Sequence, residues 1–340
     1  MTLILSYAAR GYVCQVSDRL VSKRYPSGAT PPHDPWFNKQ VLYMARDGLF
    51  TVGFSGLGYI EGIPTDQWIA SILANEPLNT GGHRGGGIGT ELRSGQRTFP
   101  PHWLDIGRAV ERLKDACAIT FAGFQKRKQT AELEAGLTIV IAGHKYKLRW
   151  HKSHADTHHI RPAIYKLAYS EKPISGVSLE SFDRYWGWER GASCLVSTPE
   201  LPPSVRAKIL TSVKQAGSTI TEEHIEEILV KGVQEVAQDP NQVVSADCLA
   251  VSLMPSRDPE VRIRYSPLPS PYHAEALGTE APAIFSGWIV MPGFLQEPQL
   301  SLGMPKTAKV HGLSIRFEGS GGPGGIVAHT TQPRKPPPKR

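Results

Sequence analysis

Residues 2–21 read TLILSYAARGYVCQVSDRLV. Apolar residues fill 2–7 and 12–18 with partial alternation, and Ala9-Arg10-Gly11 splits the two runs. The pattern predicts a hairpin of two β-strands. A threonine follows the initiator methionine directly, and Ser17-Asp18-Arg19 closes the second run. Thr2 admits two readings. It is a small second residue of no consequence, or it becomes the first residue of the mature chain and does chemistry with its own amine.

Working outward, residues 40–56, QVLYMARDGLFTVGFSG, predict two more strands around an Asp47-Gly48 turn, a hairpin signal with a mechanism. Between the hairpins, KRYPSGATPPHDPW (23–36) is rich in Pro and Gly and reads as a loop. Pro64-Thr65-Asp66 opens a helix with Trp68, Ile69, Ile72 and Leu73 on one face. WLDIGRAVERLKDACAITFAGFQKR (103–127) has helical spacing through Ile106, Val110, Leu113 and Cys117. Strands are expected in LTIVIAG (137–143), AIYKLAYS (163–170) and FDRYWGWE (182–189). Helices are expected over 204–215 and 221–238, the second with acids near its N-terminus. DCLAVSLMP (247–255) reads as a short buried strand. Strands, helices, strands, helices and a strand in that order predict an α+β fold of sheets covered by helices in layers.

The chain has 340 residues, enough for one large domain or two ordinary ones. No apolar run approaches the roughly 20 residues needed to cross a bilayer. The N-terminus lacks the basic region, long apolar stretch and small-residue cleavage site of a secretory signal. Cys14, Cys117, Cys194 and Cys248 stand apart with no CxxC pair, as reduced cytoplasmic thiols do. The net charge of +7 is partly an end effect. Setting aside Arg334, Lys335, Lys339 and Arg340 leaves 34 basic against 31 acidic residues. That excess is spread thinly, so composition does not point to nucleic acid.

After residue 254 the chain changes character. Residues 255–318 read as a Pro-rich, then β-rich extension with a strand in VHGLSIRFEG (310–319), and 319–340 as a disordered basic tail.

A threonine hydroxyl needs a base within hydrogen-bond reach. A chain-terminal amine, with a reference pKa of about 7.7–8, serves at neutral pH once shifted slightly down. A lysine ammonium nearby lowers it by like-charge repulsion, an aspartate holds that lysine, and backbone amides at a Gly turn hold an oxyanion.

TLILSYAARGYVCQVSDRLV, QVLYMARDGLFTVGFSGLG (40–58) and VAQDPNQVVSADCLAVSL (236–253) together resemble, in order, the proteasome β-type N-terminal-nucleophile hydrolases. The resemblance covers residues 2–254 and implies a four-layer αββα sandwich, peptide or other amide substrates, no cofactor, and assembly into rings or dimers. It implies Thr2 as nucleophile and Asp18 as the aspartate orienting the catalytic lysine. It places Gly53 at the oxyanion hole, with Gly56 as a second glycine before the helix, and Asp239 as the late active-site aspartate. Lys39 is the candidate lysine, although strict alignment to the strand puts Gln40 there. Ser193 in RGASC is the candidate supporting serine. The family's Ser-Gly-Gly is replaced by Gln242, Val243 and Val244. Only Met1 precedes Thr2, so ordinary methionine removal would free the amine. A non-catalytic assembly protein on the same fold is the alternative.

Other features carry less. The four histidines of HKSHADTHH (151–159) fit a metal site or a plain polar loop. The Gly-rich stretch 79–96 contains GGHRGGGIG, lacks the Gly-Lys-Ser/Thr of a phosphate loop, and reads as a surface loop. PRKPPPKR (333–340) reads as a polyproline ligand, a phosphate contact or a solvated end.

Overall fold

The computed structural model describes residues 2–22, 32–34, 37–74, 104–145, 160–169, 184–189, 193–216, 221–239, 241–255, 260–266, 284–285, 288–291, 294–296, 299–301, 307–310, 313–319 and 325–326. The histidine cluster, the Gly-rich stretch and PRKPPPKR lie outside them.

The opening hairpin forms as its alternation dictates, from β1 (Ile4–Ala9) and β2 (Tyr12–Asp18). Two short strands pair here, β3 (Val21–Ser22) just before the stretch expected to be only loop and β4 (Pro32–Asp34) inside it. The second hairpin is β5 (Gln40–Ala45) and β6 (Gly48–Gly56), turning at Arg46-Asp47. A two-residue ladder, β7 (Tyr59–Ile60) with β8 (Ile63–Pro64), leads into α1 (Thr65–Ala74).

Helix α2 (Ile106–Arg127) starts where Asp105 accepts the Arg108 amide at 2.9 Å, and ends at Lys128 in the left-handed region. A short α3 (Thr130–Ala135) follows, unforeseen in the sequence. Next come β9 (Leu137–Lys145), β10 (Arg161–Ala168), β11 (Arg184–Trp188) and β12 (Ser193–Thr198). Helix α4 (Pro203–Ala216) and helix α5 (Glu222–Ala237), capped by Thr221, precede β13 (Cys248–Met254). The remaining strands are β14 (Glu260–Ser266), β15 (Ile284–Phe285), β16 (Trp288–Met291), β17 (Phe294–Gln296), β18 (Gln299–Ser301), β19 (Thr307–Val310), β20 (Leu313–Gly319) and β21 (Gly325–Ile326).

Two seven-stranded sheets result, ordered β12-β1-β2-β13-β14-β20-β19 and β11-β10-β9-β6-β5-β16-β17. Strand alternation sorts the side chains into three hydrophobic clusters. Leu42 and Met44 of the second sheet meet Val13, Leu249 and Val251 of the first in one. Leu5, Cys14 and Ala250 turn the other way, onto Val205, Ile209 and Leu229 of α4 and α5. Phe50, Val52 and Ile141 turn onto Ile69, Val110 and Leu113 of α1 and α2. The molecule is an α+β protein whose mainly antiparallel sheets share one apolar layer, and each sheet packs on helices.

The extension is woven into both sheets. β14 pairs antiparallel with β13, β20 runs parallel to β14, and β16 runs parallel to β5 with Val290 fully buried. Residue 254 therefore does not bound either sheet. The stretch expected to be a disordered tail supplies Gly319 to β20 and Gly325–Ile326 to a three-stranded sheet, where Ile326 stands in register with Leu300 of β18. Among the described residues, no helix is long and apolar enough to cross a membrane.

Candidate active site

The strand directions bring distant parts of the chain to one end of the two sheets. There β1 begins, β2 ends, β5 begins, β6 ends and β13 begins. Asp18 closes β2 opposite Cys248. Its amide donates to Leu3 O at 3.1 Å, and its carboxylate Oδ1 accepts the Leu3 amide at 2.8 Å. Asp18 thus clasps the residue next to Thr2. Lys39, one residue before β5, places Nζ 3.0 Å from Asp18 Oδ1 and 3.1 Å from Oδ2. The same ammonium donates to the carbonyl of Leu20. Asp18 is fully buried and Lys39 is 1% exposed. Leu20 N and Ser245 N complete the carboxylate's donors, both to Oδ2, at 3.2 and 3.4 Å.

Thr2 itself is 6% exposed, and its carbonyl accepts from Ser55 Oγ at 3.1 Å. Thr2 therefore precedes a residue bonded to Asp18, and Asp18 in turn holds Lys39. Of the two adjacent lysine-position candidates, Lys39 meets Asp18, while Gln40 turns its amide between the sheets.

Gly53 lies mid-strand on β6, opposite Gln40 of β5 and Val140 of β9. Phe54 N donates to Lys39 O, so the Phe54 amide faces β5 and the alternating Gly53 amide faces β9. A Cβ on Gly53 would stand 2.6 Å from Gln15 Oε1 and 3.1 Å from Ile4 Cδ1. Gly56 ends β6 at φ +104, where a Cβ would meet Gly136 O at 2.2 Å. Close approach of backbone and side chain requires glycine at both places.

Asp239 follows α5, half-buried, and its carboxylate accepts Asn241 N and Nδ2 at 2.9 and 3.0 Å. The turn it holds leads to Ser245 and Asp247, whose carbonyl accepts Arg19 N at 3.1 Å. Asp239 thus leads toward Asp18 through its chain, while its carboxylate bonds stay in its own turn. Ser193 pairs with Ala9, at the far end of β1 from Thr2.

Sequence reasoning missed Ser55 and Ser245. For Ser55 a signal existed. Along GLFTVGFSG, Phe50, Val52 and Phe54 share one face and Thr51, Gly53 and Ser55 the other, a small and polar face within a buried strand. Ser245 has no comparable signal, because it acts through its backbone N–H. Among the described residues, no group of three or more His, Cys, Asp or Glu side chains is placed to hold a metal ion.

No protein-family model matches the chain, and no curated protein matches it. Two solved structures are distantly similar. Anbu (ancestral beta-subunit) from Yersinia bercovieri gives a TM-score of 0.39 at 8% identity, over 74% of this chain and 80% of that one. The Anbu complex from Pseudomonas aeruginosa, solved as a helical assembly, gives 0.40 at 10% identity, over 80% of this chain and 90% of that one. At these values the likeness is remote. The chain's own geometry at Thr2, Asp18 and Lys39 carries the functional argument.

Proposed function

We propose that this protein is a cytoplasmic N-terminal threonine hydrolase that cleaves amide bonds, with peptides as the substrate class, on a four-layer αββα sandwich of the N-terminal-nucleophile type. The carrying observation is the buried Lys39–Asp18 pair clasped to the residue after Thr2. Removing two charges from water costs several kcal/mol per ion, on the order of what their attraction returns. An apolar pair would fill the same space without that cost. A lysine ammonium at this place serves chemistry instead, since it disfavours a second positive charge on the Thr2 amine and keeps that amine unprotonated at neutral pH.

With Met1 removed, the Thr2 amine takes the Oγ proton as Oγ bonds to the amide carbonyl carbon. The oxyanion is held by a backbone N–H at the end of β6; Gly53, to which the resemblance gave that role, turns its own amide to β9 and serves by close packing. The amine then protonates the leaving nitrogen as the C–N bond breaks, leaving an acyl ester on Oγ. Water, deprotonated by the same amine, hydrolyses that ester. Lys39 and Asp18 tune the amine, and Asp239 supports the site by holding the turn that delivers Ser245 N–H to Asp18. Self-assembly into rings or dimers belongs to this reading.

Intact-mass measurement together with a fluorogenic-peptide assay and an electrophile that labels N-terminal threonine tests it. Removal of Met1, turnover or labelling in the wild type, and loss of both in Thr2→Ala are expected. Wild-type protein that neither turns over nor labels would end the enzyme reading. The non-catalytic assembly reading draws on Gln242-Val243-Val244 standing where Ser-Gly-Gly is expected. A retained Met1, which blocks the amine, would favour it.

A further inference from the structure

We infer that Gln40 is a positioning residue: its amide ties the two sheets together immediately behind the Lys39–Asp18 pair and sets that lysine against that carboxylate. The inference rests on the hydrolase reading for its function but on geometry for its existence. Gln40 follows Lys39 in sequence, and Ser17 precedes Asp18. Gln40 Nε2 donates to Ser17 Oγ at 3.0 Å, so one hydrogen bond joins the neighbours of both ion-pair members across the space between sheets. The same nitrogen lies 3.2 Å from Gln15 O and 2.9 Å from Leu249 O. Gln40 is therefore fixed to β2 and β13 at once.

Its oxygen is held as well. Thr51 Oγ1 stands 3.2 Å from Gln40 Oε1 and 3.1 Å from Gln15 Oε1. Gln15 Nε2 in turn donates to Ser6 Oγ at 2.8 Å and Val140 O at 3.1 Å. Gln15, Gln40, Ser6, Ser17 and Thr51 are all at most 1% exposed. Six strands from both sheets thus meet in one connected polar cluster. Gly53 belongs to it by omission, because a side chain there would displace the Gln15 amide.

Beyond this cluster the inter-sheet layer is mainly apolar, built from residues such as Val13, Leu42, Met44 and Val251, and further polar crossings, His144 to Ala9 O and Lys166 to Ser197 O, involve neither Lys39 nor Asp18 nor a neighbour of either. Apolar faces tolerate small slides of one sheet over the other, whereas directional bonds to Leu249 O and Ser17 Oγ do not. Lys39 comes from the second sheet and Asp18 from the first, so any slide there changes the distance on which the amine's basicity depends.

The test uses the full-length protein. Gln40→Met keeps length and volume while removing every amide hydrogen bond. The first readout is the side-chain ammonium of Lys39 in a lysine-selective ¹H–¹⁵N spectrum, with folding checked by melting. In the wild type, slow exchange of its protons is expected from the burial of the pair. In folded Gln40→Met we expect a changed shift and exchange faster on the order of ten-fold, as the pair loosens. The second readout is kinetic. kcat falls on the order of ten-fold with KM unchanged, and the acid limb of the pH profile moves to higher pH as the ammonium leaves the amine.

An unchanged Lys39 signal in folded Gln40→Met would overturn the inference and leave Gln40 a stabilising residue only. Should Gln40→Met not fold, Ser17→Ala removes the bridging acceptor alone, and an unchanged lysine signal there overturns it equally. The hydrolase reading fails separately: a wild type without turnover or labelling, whose Lys39 signal still responds to Gln40→Met, keeps the positioning role and loses the reaction.

Discussion

Lys39 Nζ stands 3.0 Å from Asp18 Oδ1, and neither side chain is more than 1% exposed. Each partner is therefore costly to remove alone. Asp18→Asn leaves an ammonium without its counter-charge, and Lys39→Met leaves a carboxylate that only backbone amides satisfy. Both are expected to lower unfolding free energy by about 3–5 kcal/mol and to abolish Thr2 labelling. Joint replacement by two apolar residues should recover much of the stability and none of the labelling. Urea denaturation read beside the labelling assay separates the two effects.

Gly53→Ala tests how tightly the inter-sheet space is filled. The new Cβ would lie 2.6 Å from Gln15 Oε1, and Gln15 cannot retreat without breaking its bonds to Ser6 and Val140. A loss of about 1–3 kcal/mol is expected from this overpacking. Gln15→Ala in the Gly53→Ala background should relieve the clash, so the double variant should be more stable than the sum of single losses implies. Simple additivity, measured by the same denaturation, would count against the steric account.

Much of this fold is legible in the sequence where local pattern and tertiary need agree. The hairpin expected around Asp47-Gly48 forms, with its turn one residue earlier at Arg46-Asp47, and the spacing of Ile106, Val110, Leu113 and Cys117 marks the buried stripe of α2. Legibility fails where partners are remote. VRIRYS in β14 alternates as a half-exposed strand would, yet its arginines face α5 rather than water: Arg262 Nη1 is 3.3 Å from Glu223 and Arg264 Nη1 3.3 Å from Glu226. Parallel pairings such as Trp288 with Val41 carry no local signal at all. At the site, the choice between Lys39 and Gln40 hangs on which side chain reaches Asp18: Lys39 pairs with it, while Gln40 bonds Ser17 and the Gln15 carbonyl of the same strand. Only packing fixes that, because adjacent strand residues face opposite ways.

His144 gives the protein an acid-side vulnerability. It is 1% exposed at the end of the sheets away from Thr2, with Nε2 3.3 Å from Ala9 O. Burial pushes its imidazole down to about 4, against a smaller upward pull from that carbonyl. The folded value is depressed, so the unfolded chain takes up the proton first. Stability from this group is complete above about pH 6.5 and is lost as pH falls toward 4, by about 3 kcal/mol in full. His144→Gln should flatten the melting temperature against pH over that window. An equally steep profile in the variant would place the acid sensitivity elsewhere.

Glu226 acts with the opposite sign. Its carboxylate is 1% exposed on α5, 2.9 Å from the Ser252 hydroxyl that donates to it, and Ser252 also contacts Tyr12 OH at 2.9 Å. Burial raises its carboxyl above the usual range, outweighing the Ser252 bond and the pull of Arg264 and Arg262. A raised folded value means that its contribution is complete below the unfolded value and fades as pH climbs through the folded one. The ionised form is therefore the less comfortable state of this interface between α5 and the first sheet. Glu226→Gln can still accept the Ser252 hydrogen bond and cannot ionise. Its melting temperature should fall less than that of the wild type between about pH 5 and pH 8, with the two curves closest at the acid end. Calorimetry across that range checks it. A variant that loses stability equally at every pH would show instead that the Arg264 pairing, and not the desolvated charge, governs this contact.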